Sequence, residues 1–345
     1  MIRKLIVGVA TALTALVPAA ASAEAPARTE SIKIGSLAPG ESPWGQVFKV
    51  WQKAVRERTK LPDGQKTANG KSYALDITFF WNGQQGDEAA MVAKMKSGQL
   101  DGAAITGVGL AQIHRPILVL QMPGLFDSWA KLDRARDALK SEFEKAVGDA
   151  GFALVGWGDV GLAHSMSKGF PVYSPADMKG KKPYVWRDDP ITPTVFQVIG
   201  GVTPVLLGVP EVLPQLNSGT VNVVTAPALA AEQLQWASRL DHINTQVVGV
   251  GIGALVLTSK KLDSLPGDQK AILLETGAVA GKALTARIRN EDAQAMNRLK
   301  SKMTAYESNQ AQRDEWAKVF KEVRSRLAKG TFPADLVKRV EDLAK

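Results

Sequence analysis

Apolar and polar residues alternate from Ile32 to Leu37, the period of a half-buried strand. Ser42-Pro43 then supplies an N-cap followed by proline at the first helical position, and Trp44, Phe48, Trp51 and Val55 recur along one helical face. Residues 61–71 are polar and broken by Pro62, Gly64 and Gly70, a loop. Leu75 to Trp81, rich in β-branched and aromatic residues, predicts a second strand. Residues 87–97, carrying Ala89, Met91, Val92 and Met95, predict a short helix, and residues 101–106 a third strand. Strands alternating with helices through short connections predict a parallel, doubly wound sheet.

A comparable run follows, with strands over 183–186, 203–207 and 221–225 and helices over 193–199, 211–218 and 229–236. Two apolar, glycine-rich passages separate the runs: 152–161, and 247–258 with Gly249, Gly251 and Gly253. The pattern therefore predicts two α/β lobes joined by a two-stranded hinge. After Leu265-Pro266-Gly267-Asp268 the period becomes helical to about Ser301, and again from Gln310 to Ala328, so long C-terminal helices pack across or beside the lobes. The predicted division is 24–156 with 247–285 as a discontinuous first lobe, 157–246 as the second, and 286–345 as the C-terminal helices. Ligand crevices of open α/β sheets lie beyond the carboxyl ends of the strands. Topology alone thus marks 38–44, 81–88, 106–109, 186–190 and 225–227 as the walls of a cleft between the lobes.

Length and composition narrow the function. The chain has 345 residues, enough for two domains, and no Cys, which excludes disulfides, thiol nucleophiles, thiolate metal sites and cysteine-borne lipid anchors. Arg3 and Lys4, an apolar run from Leu5 to Val17, and the small residues ending Ala21-Ser22-Ala23 form a secretory signal, with cleavage expected before Glu24. That run is shorter than the roughly 20 residues of a spanning helix. The expected location is the periplasm. The formal charge is +9, and loss of Arg3 and Lys4 with the signal lowers it to +7. The basic excess is scattered and carries no aromatic-interleaved face, so nucleic acid is not an expected partner.

Metal and catalytic motifs are weak. His114, His164 and His242 lie far apart without carboxylates at ligand spacing, so no metal or cofactor is expected. Ser165-Met166-Ser167-Lys168 matches Ser-x-x-Lys, but the companion motifs of penicillin-recognising enzymes are missing and Gly169-Phe170-Pro171 follows, so an exposed loop is the preferred reading. Gly249 to Ala254 approximates a dinucleotide fingerprint inside an apolar run that no helix start follows; hinge strand fits better. Tryptophan is more informative: Trp44, Trp81, Trp157 and Trp186 fall at strand ends or on the first crossing, where flat rings line a cleft or fill a lobe core.

Taken in order, seven segments resemble the extracytoplasmic solute receptors of TRAP (tripartite ATP-independent periplasmic) transporters, the DctP type. They are Ile34-Gly35-Ser36-Leu37-Ala38-Pro39 with Ser42-Pro43-Trp44, Gly86-Asp87-Glu88, residues 96–101, Met122-Pro123-Gly124-Leu125-Phe126, residues 174–182, Pro210-Glu211-Val212-Leu213 with residues 216–219, and residues 265–270. The resemblance implies a two-lobed receptor without chemistry of its own. It closes on a small-molecule solute and delivers that solute to a permease of one small and one large membrane subunit.

Two departures from the family pattern concern the site. Where the resemblance places an arginine for the substrate carboxylate, this chain has Tyr184, and Arg187 comes three residues later. Either Arg187 takes over or the anchor is missing. Asp188 and Asp189 beside it would repel a dianion, and Asn222 stands where the family often has Asp. The candidate ligand-binding set is Trp44, Trp81, Gln84, Gln85, Trp157, Tyr184, Trp186, Arg187 and Thr225, for an organic acid or a less polar, aromatic compound. The rival readings are an exported hydrolase using Ser165 and Lys168, and a periplasmic scaffold or sensor partner.

Overall fold

Ser42 caps the first helix as its sequence requires, its Oγ accepting the Gly45 N–H at 3.3 Å. The computed structural model describes residues 27–345, so the expected signal at 1–23 lies outside the described residues. In chain order the first run comprises β1 (Glu30–Ser36), α1 (Pro43–Arg58), β2 (Leu75–Phe80), α2 (Glu88–Lys96), β3 (Gly102–Thr106) and α3 (Gly107–Ala111). A 3-10 turn at Arg115–Gln121 and α4 (Trp129–Asp149) lead into the 16-residue β4 (Phe152–Ser167). Beyond a 3-10 turn at Pro175–Met178 come β5 (Tyr184–Trp186), α5 (Thr192–Ile199), β6 (Val205–Leu207), α6 (Val209–Ser218), β7 (Val223–Pro227) and α7 (Ala228–Gln233). The chain ends with β8 (His242–Asn244), β9 (Gly249–Thr258), α8 (Ser259–Asp263), α9 (Gly267–Lys302), β10 (Thr304–Tyr306), α10 (Gln310–Leu327) and α11 (Ala334–Leu343).

Within each run the strands pair in parallel: β1 lies between β2 and β3, and β5 pairs with β6. The two crossing strands run in opposite directions and pair antiparallel, Phe152 opposite Thr258 through Ala163 opposite Gly249. Together they form a mixed sheet of order β10-β8-β4-β9-β3-β1-β2, with β7 also on β4. The fold is thus α/β and two-lobed, the mixed sheet arising because the chain leaves the first lobe on β4 and returns on β9.

β4 runs further than its sequence suggested. The predicted passage ends at Gly161, but the strand continues to Ser167, so Ser165 stands in the sheet opposite Thr225 and not in an exposed loop. A register slip between Asp159 and Gly161 bends it. Gly161 has φ 144°, and Asp292 of α9 occupies the space a Cβ would need. The Asp292 carboxylate accepts the Leu162 N–H at 2.8 Å and the Leu229 N–H of α7 at 2.9 Å, stitching the bend to the second lobe.

The 36-residue α9 lies against β4 and α1. Its approach to the strand depends on glycine: a Cβ on Gly156 would sit 2.9 Å from the Gly277 carbonyl oxygen. A buried ion network reinforces the junction. Asp159, with a fully buried side chain, receives Arg136 of α4 at 2.6 Å and Arg289 of α9 at 2.7 Å, and both arginines also reach Asp133. At the C-terminus α10 packs on α5 and α11 on α4, with Arg324 joining the two helices through Glu341 at 2.7 Å. Among the described residues no helix is long and apolar enough to cross a membrane.

Candidate functional site

A cleft of about 360 Å³ opens where the carboxyl ends of the strands of the two lobes face each other. Ser36 to Pro39 enter it from the end of β1, Thr106 from β3, Trp186 and Asp189 from the end of β5, and Thr225 to Pro227 from β7. Each of the five segments marked by topology places at least one residue on its wall.

Of the nine candidate residues the cleft brings together four. Trp44 lines it and donates its indole N–H to the Asp159 carbonyl at 3.3 Å. Tyr184 lies edge-on to Trp236, ring centres 5.6 Å apart. Trp186 and Thr225 complete the four, Thr225 exposed toward the opening. The other five lie off the wall. Trp81 stacks on Phe79 at 4.4 Å and lies near Phe48, so it backs a lining ring without being one. Gln84 is exposed in the turn after β2, and Gln85 accepts Lys94 Nζ at 2.9 Å. Trp157 points to α4, its indole donating to Glu144 at 3.3 Å. Arg187 extends over the surface to Glu211 at 2.6 Å. Residues outside the candidate set line the cleft instead, among them Phe48, Phe196, Trp316 and Phe320. For the last two a signal existed in their i, i+4 spacing on α10, but that spacing equally describes a packing face.

The polar groups on the wall are mostly engaged. The buried Glu88 carboxylate accepts the Thr106 N–H at 2.7 Å, the Thr106 hydroxyl at 2.8 Å and the Gly109 N–H at 2.7 Å. Burial outweighs these donors and pushes its pKa up to about 8. Burial also raises Asp189, which caps α5 through the Ile191 and Thr192 N–H groups. Tyr184 is different: its side chain is buried, its titration is driven well upward by burial, and its hydroxyl finds no partner among the described residues. An orphaned hydroxyl at this depth carries a desolvation cost, and with almost no accessible surface it meets a solute only where its neighbours shift.

The Ser165 and Lys168 pair of the hydrolase reading is not assembled. Three residues apart on extended chain, their side chains leave opposite faces about 10 Å apart, and Lys168 is exposed beyond the strand end. Among the described residues no three His, Cys, Asp or Glu side chains converge into a metal-binding group.

One side chain holds the lobes together at the mouth. Asp87 caps α2, and its second carboxylate oxygen accepts the Trp186 indole N–H at 2.9 Å and the Val209 N–H at the start of α6 at 3.2 Å. Asp87→Ala removes both cross-lobe bonds. Small-angle scattering is expected to give the variant a larger radius of gyration than the parent; identical curves would overturn this role.

Comparison with known proteins places the geometry. The family model "Bacterial extracellular solute-binding protein, family 7" (DctP) matches residues 34–330. A solute-binding protein of Sulfitobacter sp. (strain NAS-14.1) is 25% identical over 238 residues, 67% of this chain and 69% of that protein. A TRAP periplasmic solute-binding protein of Ralstonia eutropha H16, solved with bound (S)-2-acetolactate, superposes with TM-score 0.81 at 19% identity, covering 91% of this chain and 98% of that one. The sugar acid binding protein of Advenella mimigardefordensis strain DPN7T, in complex with galactonate, gives TM-score 0.82 at 16% identity, covering 92% and 98%.

Proposed function

We propose, for a chain that belongs to the bacterial extracellular solute-binding proteins of family 7, that the cleft takes an uncharged, largely apolar or aromatic organic solute. The lobes close on that solute, and the receptor passes it to a TRAP-type permease of one small and one large membrane subunit. The observation that carries this reading is the chemistry of the wall. Among the described residues lining the cleft there is no Lys or Arg, and aromatic rings supply much of the surface. Where the family resemblance places a carboxylate-binding arginine, this chain has the neutral, buried Tyr184. A solute carboxylate would exchange water for a wall without a cation, a loss that neutral hydroxyls and amides do not offset. In this reading residues 1–23 direct export to the periplasm, and the lobes divide as 24–156 with 247–285 against 157–246.

A second reading keeps an organic acid. It is favoured by the carboxylate ligands of the two solved relatives, and it requires Arg187 to leave Glu211 and turn inward.

Thermal unfolding of refolded, solute-free protein against mono- and dicarboxylates, amino acids and aromatic compounds separates the two. A ligand at about 100 times its Kd adds about 2.7 kcal/mol, or several degrees at about 2–4 °C per kcal/mol. The expected result is a shift with uncharged aromatic compounds that Arg187→Ala leaves unchanged. A shift confined to organic acids and abolished by Arg187→Ala would establish the second reading in its place.

A further inference from the structure

The cleft wall is drawn from two separate hydrophobic cores. Phe48, Trp44, Tyr184, Trp236 and Leu284 belong to or pack on the core of Trp51 and Ile77. Val172, Val195, Phe196 and Phe320, with Trp316 packed on them, belong to the core of Phe126 and Phe143. Strand geometry accounts for the division. Alternate residues of β5 and β7 point to opposite faces of the sheet: Tyr184, Val224 and Ala226 join the first core, Val185 and Val223 the second. A cleft at the carboxyl edge of those strands meets both faces. On the face of the second core stand Ser165 and Thr225, directly paired across β4 and β7. The far end is roofed by α10, where Trp316 stacks on Phe320 at 5.5 Å.

We propose that the cleft is a two-chamber pocket, the second chamber lying under α10, and that it selects an elongated solute with an aromatic or alicyclic group in the Tyr184–Trp236 chamber, a hydroxyl or carbonyl at Ser165 and Thr225, and an apolar tail against Phe196, Trp316 and Phe320. This rests on the uncharged-solute reading of the same cleft. A compact solute would fill the first chamber only and leave the rings of α10 facing water, a waste of apolar surface.

The probe is a series of 1-phenylalkan-1-ols from benzyl alcohol to 1-phenylhexan-1-ol, whose hydroxyl stays beside the ring while an alkyl tail lengthens, titrated against the refolded mature protein by tryptophan fluorescence. Affinity is expected to rise by about fourfold per methylene while the tail enters the second chamber. Phe196→Trp and, independently, Val172→Phe fill that chamber; each is expected to weaken the longest alcohol at least tenfold more than it weakens benzyl alcohol. Unfolding curves select the variant that retains the parent's melting temperature for this comparison. If benzyl alcohol binds but chain length adds nothing, or if a filled chamber weakens both probes equally, the second chamber is overturned and the uncharged-solute reading stands. If no member binds while carboxylates do, both fall.

Discussion

Asp159→Ala is expected to cost the protein about 3–5 kcal/mol of stability, the range for removing one partner from a buried ion pair. The Asp159 side chain is fully buried and bonded to Arg136 at 2.6 Å and Arg289 at 2.7 Å, so its removal leaves the buried Arg136 and the half-buried Arg289 guanidinium groups with only Asp133 between them. The same carboxylate ties α4 and α9 to the bent middle of β4, and the residue's backbone carbonyl receives the Trp44 indole at the cleft wall. Stability and site are therefore coupled: the variant is expected to melt several degrees lower and to bind solute more weakly. Asp159→Asn keeps the shape without the charge and is expected to recover only part of the loss. Denaturant unfolding of both variants checks this; a loss below about 1 kcal/mol would show that the arginines are neutralised elsewhere.

The second large effect is a pH dependence carried by Glu88. Burial holds its folded pKa at about 8, above the 4.5 of the free side chain. The folded state therefore binds the proton more tightly than the unfolded chain. The resulting stability is fully present below about pH 4.5 and is lost as pH rises through about 8. Glu88→Gln does not titrate. The stability difference between parent and variant is expected to fall as pH rises across that window, by at most about 1.4 kcal/mol per pH unit. Asp189 is also raised by burial, but it is common to both proteins and cancels in the comparison, whereas Asp87, whose charge helps raise Glu88, is part of what the comparison reads. A difference that stays flat from pH 5 to 8 would mean that the three donors around Glu88 keep it ionised.

Several features of the fold were legible because their signals are local. The Ser42-Pro43 start of α1, the parallel strands of each lobe and the start of α9 after Pro266 come from caps and short-range periods. Other elements escaped for identifiable reasons. Strands β8 and β10 have three residues each, too few to show a period, and exist only because they pair with β4 and with each other. The helix α4 is not among the predicted elements, although Leu132, Leu139, Phe143 and Val147 carry a helical repeat, and with it went the anchor for Asp159.

The site divides in the same way. Periodicity and topology place strand ends at one edge, and that sufficed to mark the five cleft segments. They do not say which ring at a strand end turns inward, since that depends on neighbours far along the chain. Trp157 and Trp186 look alike in sequence, yet Glu144 of α4 holds one outside while Asp87 holds the other on the wall. Arg187 was as near the site as Tyr184, and Glu211, 24 residues later, draws it to the surface. The raised proton affinity of Glu88 likewise follows from burial by segments brought together only in three dimensions. Residue types, caps and periods are properties of neighbouring positions and survive in the bare chain; orientation, pairing and desolvation are properties of long-range contacts and come into being when the two lobes fold and meet.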